Sequence, residues 1–421
     1  MRLLKKNVQL SNPNNANNVA DKVSLPIVTS LSPLYYKDFH CIAADCQDSC
    51  CLNWRIEFDK KDFLRLRRLE APEDFKQRLD RTVQRIRHNE TSNSSFYGKF
   101  DLSDGRCPLL DDDSLCSLQK HCGGDALPFV CRVFPRQHRY TPAALEHSLT
   151  LGCESVLELL WNLPEGIDFI EEPLEASEKR AMACQKGTLE PYFPQIRSMC
   201  IDILQNRTLS LGHRLLFLGM ALQELIDMDW DNPTISEWEA RTNGRMQLPD
   251  IKNYLTALPK DPVKYLMQNV TAALQLYHNG ETFIYVSLNQ IDWTLNQNVS
   301  VTFNVDLYTK ALRKFQETFG DIEYFFENIM VSILFYETYP HLGNKEKLWK
   351  DYVNLCNLYS FYYFAAVTGW TDMPTKKQLT HTCVMVSRAL LHNNNRMDMT
   401  RDDFFKNESA TLAHMAILVN I

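Results

Sequence analysis

The chain has 421 residues, of which 45% are hydrophobic and 23% are charged. These fractions are ordinary for a folded globular protein and exclude a fully disordered or fibrous chain. The 52 acidic side chains outnumber the 45 basic ones, and the net charge of -7 argues against a generally cationic nucleic-acid-binding protein. Glycine, with 14 residues, is about half as frequent as usual, which favours helices over glycine-rich nucleotide-binding turns.

The first 31 residues are rich in Asn, Ser and Lys and show no periodicity, so we expect a flexible arm over residues 1–31. They include basic residues but lack the apolar core of a secretory signal. The chain also has no run of about 18 apolar residues that could span a membrane. These features predict a cytoplasmic protein without a membrane span.

The next segment, residues 32–161, contains nine of the thirteen cysteines. In a reducing cytoplasm, such a density is more typical of metal binding or redox chemistry than of disulfides. Several converging thiolates repel one another unless a cation is present. We therefore expect a cysteine-rich metal or cluster module over residues 32–161.

The spacing of these cysteines bears on the kind of metal. Structural zinc sites usually contain CxxC pairs, and this chain contains none. Iron–sulfur clusters are larger and accept wider cysteine spacing, so they are favoured over zinc. The adjacent residues Cys50 and Cys51 would diverge by about 100° on a helix. We therefore expect them to serve different sites, or one to be a ligand and the other a core residue.

The rest of the chain predicts mainly helices. Apolar residues from Phe63 to Ile86 recur at helical spacing and are interrupted at Pro72, which predicts two helices. Prolines and acidic residues predict a linker over residues 162–190. Residues 191–421 show apolar periods near 3.6 and predict a helical bundle domain, apart from a short alternating segment, ETFIYVSLNQ, that predicts a strand. The expected fold is mainly α, with the cysteine-rich module packed on a C-terminal helical bundle domain.

Four segments carry a recognisable pattern: YYKDFHCIAADCQDSCCLNW, DGRCPLLDDDSLC, CRVFPR and SLTLGCESVLELL. The sequence resembles the flagellin lysine N-methylase family of bacteria, most strongly over residues 34–161. It is also similar to the wider group of small cysteine-rich proteins described as zinc- or iron-chelating.

The resemblance implies a cytoplasmic enzyme that transfers methyl groups from S-adenosylmethionine to surface lysines of flagellin. It also implies a cysteine-bound iron–sulfur cluster, with the 4Fe-4S type favoured and zinc less so. Cys122 falls outside the family pattern. The matching cysteines, which are the predicted metal ligands, are Cys41, Cys46, Cys50, Cys51, Cys107, Cys116, Cys131 and Cys153.

Five further residues are candidates for the chemistry. Only a neutral lysine amine attacks a methyl sulfonium, and burial lowers a lysine pKa. We expect Tyr35, Tyr36 and Trp54, which flank the first cysteines, to wall a substrate channel between the module and the helical domain. Arg132 and Arg136 lie beside cluster cysteines and are candidate contacts to the cofactor carboxylate. The sequence identifies no catalytic base.

The alternative function is a non-enzymatic iron- or zinc-chelating protein. Such a protein needs little more than the cysteine-rich module, whereas residues 191–421 predict a large buried helical core. We therefore expect a protein-lysine methyltransferase with flagellin as its partner and no nucleic-acid partner.

Overall fold

The computed structural model describes residues 22–52, 56–86, 96–102, 105–289, 291, 294–295, 301–392, 402 and 404–420. The described chain is mainly helical, as the sequence predicts. It divides into two compact units. The cysteine unit comprises residues 39–137 and 153–155, and the helical unit comprises residues 1–38, 138–152 and 156–421.

The strands are β1 Lys22–Ile27, β2 Thr29–Pro33, β3 Glu57–Phe58, β4 Val83–Arg85, β5 Gly98–Phe100, β6 Arg136–Tyr140, β7 Leu145–Leu149, β8 Phe169–Pro173, β9 Arg180–Gln185, β10 Thr294–Leu295 and β11 Val301–Thr302. The first helices are α1 Lys60–Arg68, α2 Glu73–Thr82, α3 Ser117–Cys122, α4 Phe129–Val133, α5 Glu154–Trp161, α6 Phe193–Leu204, α7 Leu211–Asp227 and α8 Ile235–Met246. They are followed by α9 Pro249–Thr256, α10 Pro262–His278, α11 Tyr285–Asn289, α12 Val305–Phe319, α13 Glu323–Tyr336, α14 Lys345–Thr368, α15 Lys376–Leu390 and α16 Leu412–Val419.

The cysteine unit is built on α1, α2 and a sheet of strand order β3–β5–β4. The Asp59 side chain caps α1 by accepting the Asp62 backbone N–H at 2.7 Å. Pro72 stands directly before α2, so the two predicted helices and the proline between them are confirmed. Their apolar faces supply Leu66 and Leu79 to the buried core of this unit.

The helical unit is centred on α13 and α14, whose side chains are buried along most of both helices. α14 packs against α7, α12, α13, α15 and α16. Large aromatic side chains such as Phe325, Phe326 and Tyr362 fill this core. Within the described residues, we find no helix whose length and apolar character would let it cross a membrane.

The structure differs from the sequence prediction at the N-terminal arm and at the linker. β1 pairs antiparallel with β9 from Lys22↔Gln185 to Ile27↔Arg180. β2 lies between β7, to which it is parallel, and β8, to which it is antiparallel. The alternation in KVSLPI and TSLSP is therefore a strand signal, which the polar composition of the segment obscures. Residues 1–21 lie outside the described part of the chain.

The predicted strand ETFIYVSLNQ is wrong. Residues 282–284 form a 3-10 helix that continues into α11, and α11 packs against α10 and α14. Ser287 and Leu288 are both buried, although they are neighbours in sequence. Packing against helices therefore decides the conformation of this short segment over its alternating pattern.

Candidate functional site

Backbone contacts in the cysteine unit bring distant cysteines together. The Cys107 N–H donates to the Cys51 carbonyl at 2.8 Å. After Cys107 the chain turns back, and an isolated bridge pairs Leu110 with Cys116. Cys116 then occupies the N-cap position of α3. Three cysteines from separate parts of the sequence thereby reach the same core.

Five cysteine side chains interact with one another, and we call them the thiol cluster: Cys50, Cys51, Cys107, Cys116 and Cys131. The Cys51 thiol hydrogen-bonds with the thiols of Cys50 and Cys107. Cys116 interacts electrostatically with Cys50, and Cys131 does so with Cys50, Cys51 and Cys116. The cluster lies on the unit's apolar core, which includes Cys107.

This environment disfavours thiolates in the absence of a cation. The hydrogen bond with Cys107 is the main cause that raises the pKa of Cys51 to about 12. Burial raises the pKa of Cys116, and it raises the pKa of Cys131 well above the ordinary value. A bound cation reverses this preference, because it stabilises the deprotonated ligands.

The adjacent residues Cys50 and Cys51 both belong to the thiol cluster, and Cys51 also packs against the apolar core. The expectation that they serve different roles assumed helical geometry and stays a prediction. Both residues instead lie in a turn, where neighbouring side chains are not held about 100° apart.

The other three predicted ligands, Cys41, Cys46 and Cys153, have the following contacts. Cys46 Sγ donates to Glu154 Oε2 at 3.3 Å, and Cys153 interacts electrostatically with Cys46. Burial, followed by the hydrogen bond to Glu154, raises the pKa of Cys46. Cys41 is exposed, and its sulfur accepts the Ala43 N–H at 3.4 Å. Among the described His, Cys, Asp and Glu side chains, no group of three or more has the geometry to hold a metal ion.

The three aromatic residues predicted to wall a channel have different surroundings. Tyr35 is buried in the helical unit, and its hydroxyl lies 3.1 Å from Ser332 Oγ. Tyr36 is half-buried, and its ring lies 5.7 Å from the His147 ring. Trp54 lies outside the described residues. The channel they were expected to form therefore stays a prediction.

The two arginines predicted to contact the cofactor are in the cysteine unit. Arg132 is exposed on α4. The Arg136 guanidinium lies over the Phe39 ring at 4.8 Å, and its Nη2 donates to the Phe39 carbonyl at 3.5 Å. These contacts hold Arg136 in place, and its role at a cofactor stays a prediction.

A cavity of about 430 Å³ opens within the helical unit. It is formed by the first turns of α7 and α13, the last residues of α12 and α16, and the middle of α14. Charged and aromatic side chains share its lining, including His213, Lys260, Asp321, Glu323, Tyr359 and Tyr363.

Ion pairs and a helix terminus fix the position of one cavity carboxylate. Glu323 Oε2 accepts from Arg214 Nη2 at 2.8 Å, and Glu323 Oε1 accepts the Leu211 N–H at the start of α7, also at 2.8 Å. Arg214 is 1% exposed and also pairs with the buried Glu327 at 2.5 Å. Both oxygens of the Glu323 carboxylate therefore have hydrogen-bond partners, and one of these partners is a fully buried arginine.

Three titratable side chains of the cavity, His213, Tyr359 and Tyr363, favour their neutral forms. Burial lowers the pKa of His213, which hydrogen-bonds with Asn420. Burial also raises the pKa of Tyr359 and of Tyr363. The cavity therefore presents a neutral imidazole and two neutral phenols near pH 7.

Sequence reasoning missed this cavity because its residues are distributed between positions 210 and 420. One local signal was present. The segment GDIEYFFE places acidic residues within an otherwise apolar and aromatic helix, which is unusual for a pure core helix.

The fold and its two sites define a mainly helical, cysteine-rich protein with a polar cavity of ligand-binding size. Comparison with known families gives the particular family. The profile of the FliB lysine N-methylase C-terminal domain matches residues 197–418, more than half of the chain, and the chain belongs to this family. Most of the cavity lining lies within the matched residues.

Individual relatives are similar over a smaller part of the chain. The flagellar biosynthetic protein FliU of Salmonella muenchen is 28% identical over 180 residues, which cover 41% of this chain and 96% of that protein. The lysine-N-methylases of Salmonella typhimurium and Salmonella choleraesuis are each 29% identical over 189 residues, which cover 42% of this chain but only 43% of those proteins. No solved structure matches this chain significantly.

Proposed function

We propose that this protein is an S-adenosylmethionine-dependent protein-lysine N-methyltransferase with flagellin as its substrate. The match of residues 197–418 to the FliB lysine N-methylase domain carries the proposal. The names of the relatives, two lysine-N-methylases and one flagellar biosynthetic protein, support the reaction and the flagellar substrate. In this proposal the enzyme acts in the cytoplasm, where it meets flagellin before export.

The proposed reaction moves a methyl group from sulfur to nitrogen. The neutral lysine amine attacks the methyl carbon, a C–N bond forms, the C–S bond breaks, and S-adenosylhomocysteine leaves. Lysine has an unperturbed pKa of about 10.4, so the ammonium must first lose a proton. A channel that removes the side chain from water favours this loss, and Tyr35, Tyr36 and Trp54 remain the proposed walls.

We further propose that the thiol cluster holds an iron–sulfur cluster, of the 4Fe-4S type rather than zinc. The support is the donor chemistry: cysteine thiolates are the usual ligands of such clusters, a 4Fe-4S cluster takes four, and five cysteine side chains interact here. When bound, the group would crosslink the separate segments that carry Cys50, Cys107, Cys116 and Cys131. Cys41, Cys46 and Cys153 are not part of this proposed ligand set.

The methylation proposal is tested with full-length protein purified without oxygen. The protein is incubated with methyl-labelled S-adenosylmethionine and flagellin, and flagellin peptides are analysed by mass spectrometry. We expect label on lysine side chains and none when flagellin lysines are acetylated beforehand. A protein that contains metal but leaves flagellin unlabelled would contradict the proposal and favour a chelating protein.

The metal proposal is tested by counting iron, sulfide and zinc in serine variants. Each of the five thiol-cluster cysteines is replaced by serine in a separate variant. We expect at least four of these five variants to lose bound iron at least several-fold, because each ligand is one of four. Cys122→Ser is the matched control, since Cys122 lies in the same unit but outside the thiol cluster. Iron that depends on Cys41 or Cys46, and not on Cys51 or Cys116, would refute this assignment.

A further inference from the structure

We propose that the cavity in the helical unit is the binding site for S-adenosylmethionine, an inference that rests on the proposed methyltransferase function. The ligand combines four chemical groups: an adenine ring, a ribose with two hydroxyls, a sulfonium cation, and an amino acid with an ammonium and a carboxylate. The cavity offers a complementary group for each.

The size of the cavity favours the cofactor over the substrate. A volume of about 430 Å³ lies within the range of sites for small molecules and cofactors, roughly 300–1,000 Å³. A single lysine side chain is a narrow chain of four methylene groups and would leave most of this space unfilled. The cavity therefore suits a ligand with a nucleoside.

The charges of the cavity suit a zwitterion. Lys260 and His213 supply nitrogen donors for a carboxylate, while Asp321 and Glu323 supply acceptors for an ammonium or for ribose hydroxyls. Glu323 is already fixed by Arg214 and by the Leu211 N–H, so ordering this acceptor costs little on binding.

The aromatic side chains provide faces for the ring and the cation. The Tyr363 ring lies 5.2 Å from the Phe326 ring and 6.2 Å from the Phe315 ring, and all three line the cavity. Aromatic faces attract cations such as a sulfonium and stack on purine rings. Tyr359, on the same helix as Tyr363, adds a phenol that donates a hydrogen bond in its neutral form.

The test measures S-adenosylhomocysteine binding to the full-length protein by calorimetry. We expect Lys260→Met and Tyr363→Ala each to raise Kd at least tenfold. Lys252→Met and Tyr254→Ala are matched controls, because both residues are exposed on α9 and do not line the cavity. We expect the control variants to bind within twofold of wild type. Thermal unfolding of each variant identifies any that fails to fold.

A second measurement locates the ligand without a variant. Radiolabelled S-adenosylmethionine is crosslinked to wild-type protein by ultraviolet light, and the labelled peptide is sequenced. Label on peptides from residues 210–213, 315–326 or 359–363 supports the proposal. Label on the cysteine unit, for example beside Arg132 or Arg136, or wild-type affinity in both cavity variants, overturns it. If the wild type still methylates flagellin in that case, the proposed function survives and only the location is wrong.

Discussion

His392 is a partly buried histidine whose surroundings disfavour its charged form. Its Nε2 lies 2.7 Å from Thr150 Oγ1 in the helical unit, and burial, together with the Arg388 charge, lowers its pKa to about 4. In the unfolded chain a histidine has a pKa of about 6.5. Between these two values the unfolded state binds more protons than the folded state, so stability falls as the pH falls from 6.5 towards 4.

We expect this one residue to lower the free energy of unfolding by about 2 kcal/mol between pH 7 and pH 5. In His392→Gln, which retains a hydrogen-bonding side chain, this part of the pH dependence should disappear. His278→Gln, at an exposed position on α10, is the control and should keep the wild-type dependence. Urea unfolding at several pH values measures the difference, and equal slopes in wild type and His392→Gln would contradict the prediction.

The cysteines show what residue patterns can and cannot specify. The family resemblance identified eight candidate ligands, and the structure brings five of them into the thiol cluster. The sequence could not distinguish Cys41, Cys46 and Cys153 from these five, because all eight cysteines match the same family pattern. The hydrogen bond from Cys46 to Glu154, a residue far along the chain, is a tertiary contact.

The packing of α7 against α16 depends on a glycine. A Cβ atom at Gly212 would lie 2.0 Å from the Val419 carbonyl oxygen. This neighbour is backbone and cannot rotate away, so an added methyl group must separate the two helices. α16 also contacts α14 and α10, which places Gly212 at a junction of several helices.

We expect Gly212→Ala to destabilise the protein by about 1–3 kcal/mol through overpacking. Gly244→Ala is the matched control on α8, where an added Cβ meets nothing within 4 Å. The control should stabilise the helix by about 0.5–1 kcal/mol, because alanine loses less backbone entropy than glycine. The denaturant midpoints of the two variants and of wild type measure these changes in stability. An unchanged midpoint for Gly212→Ala would contradict the prediction and show that α16 packs less tightly against α7 than described.

Among the secondary-structure elements, α1 and α2 were predictable from the sequence, whereas β1 and β2 were not. Two local signals, the apolar periodicity and Pro72, predicted both helices and the break between them. β1 and β2 were assigned to a flexible arm because few of their residues are strongly apolar. Their hydrogen-bond partners, β9, β7 and β8, lie more than 100 residues away along the chain.

At the scale of the whole molecule, the units are not continuous in sequence. The predicted module ended at residue 161, whereas residues 138–152 belong to the helical unit because β7 pairs with β2. Short polar strands contribute to a unit through hydrogen bonds to distant strands, and composition does not record such pairs. A boundary placed by composition therefore falls in the wrong position.

The sequence by itself determined the mainly helical character, the two helices beside the cysteines and the family to which the chain belongs. These follow from local periodicity and from residue identity, which are properties of neighbouring positions. Only the tertiary structure decided which five thiols share a cluster and that a charged, aromatic cavity exists between α7, α12, α13, α14 and α16. Both sites are assembled from residues far apart in the chain, and their contacts form only when the helices and strands that carry them pack together.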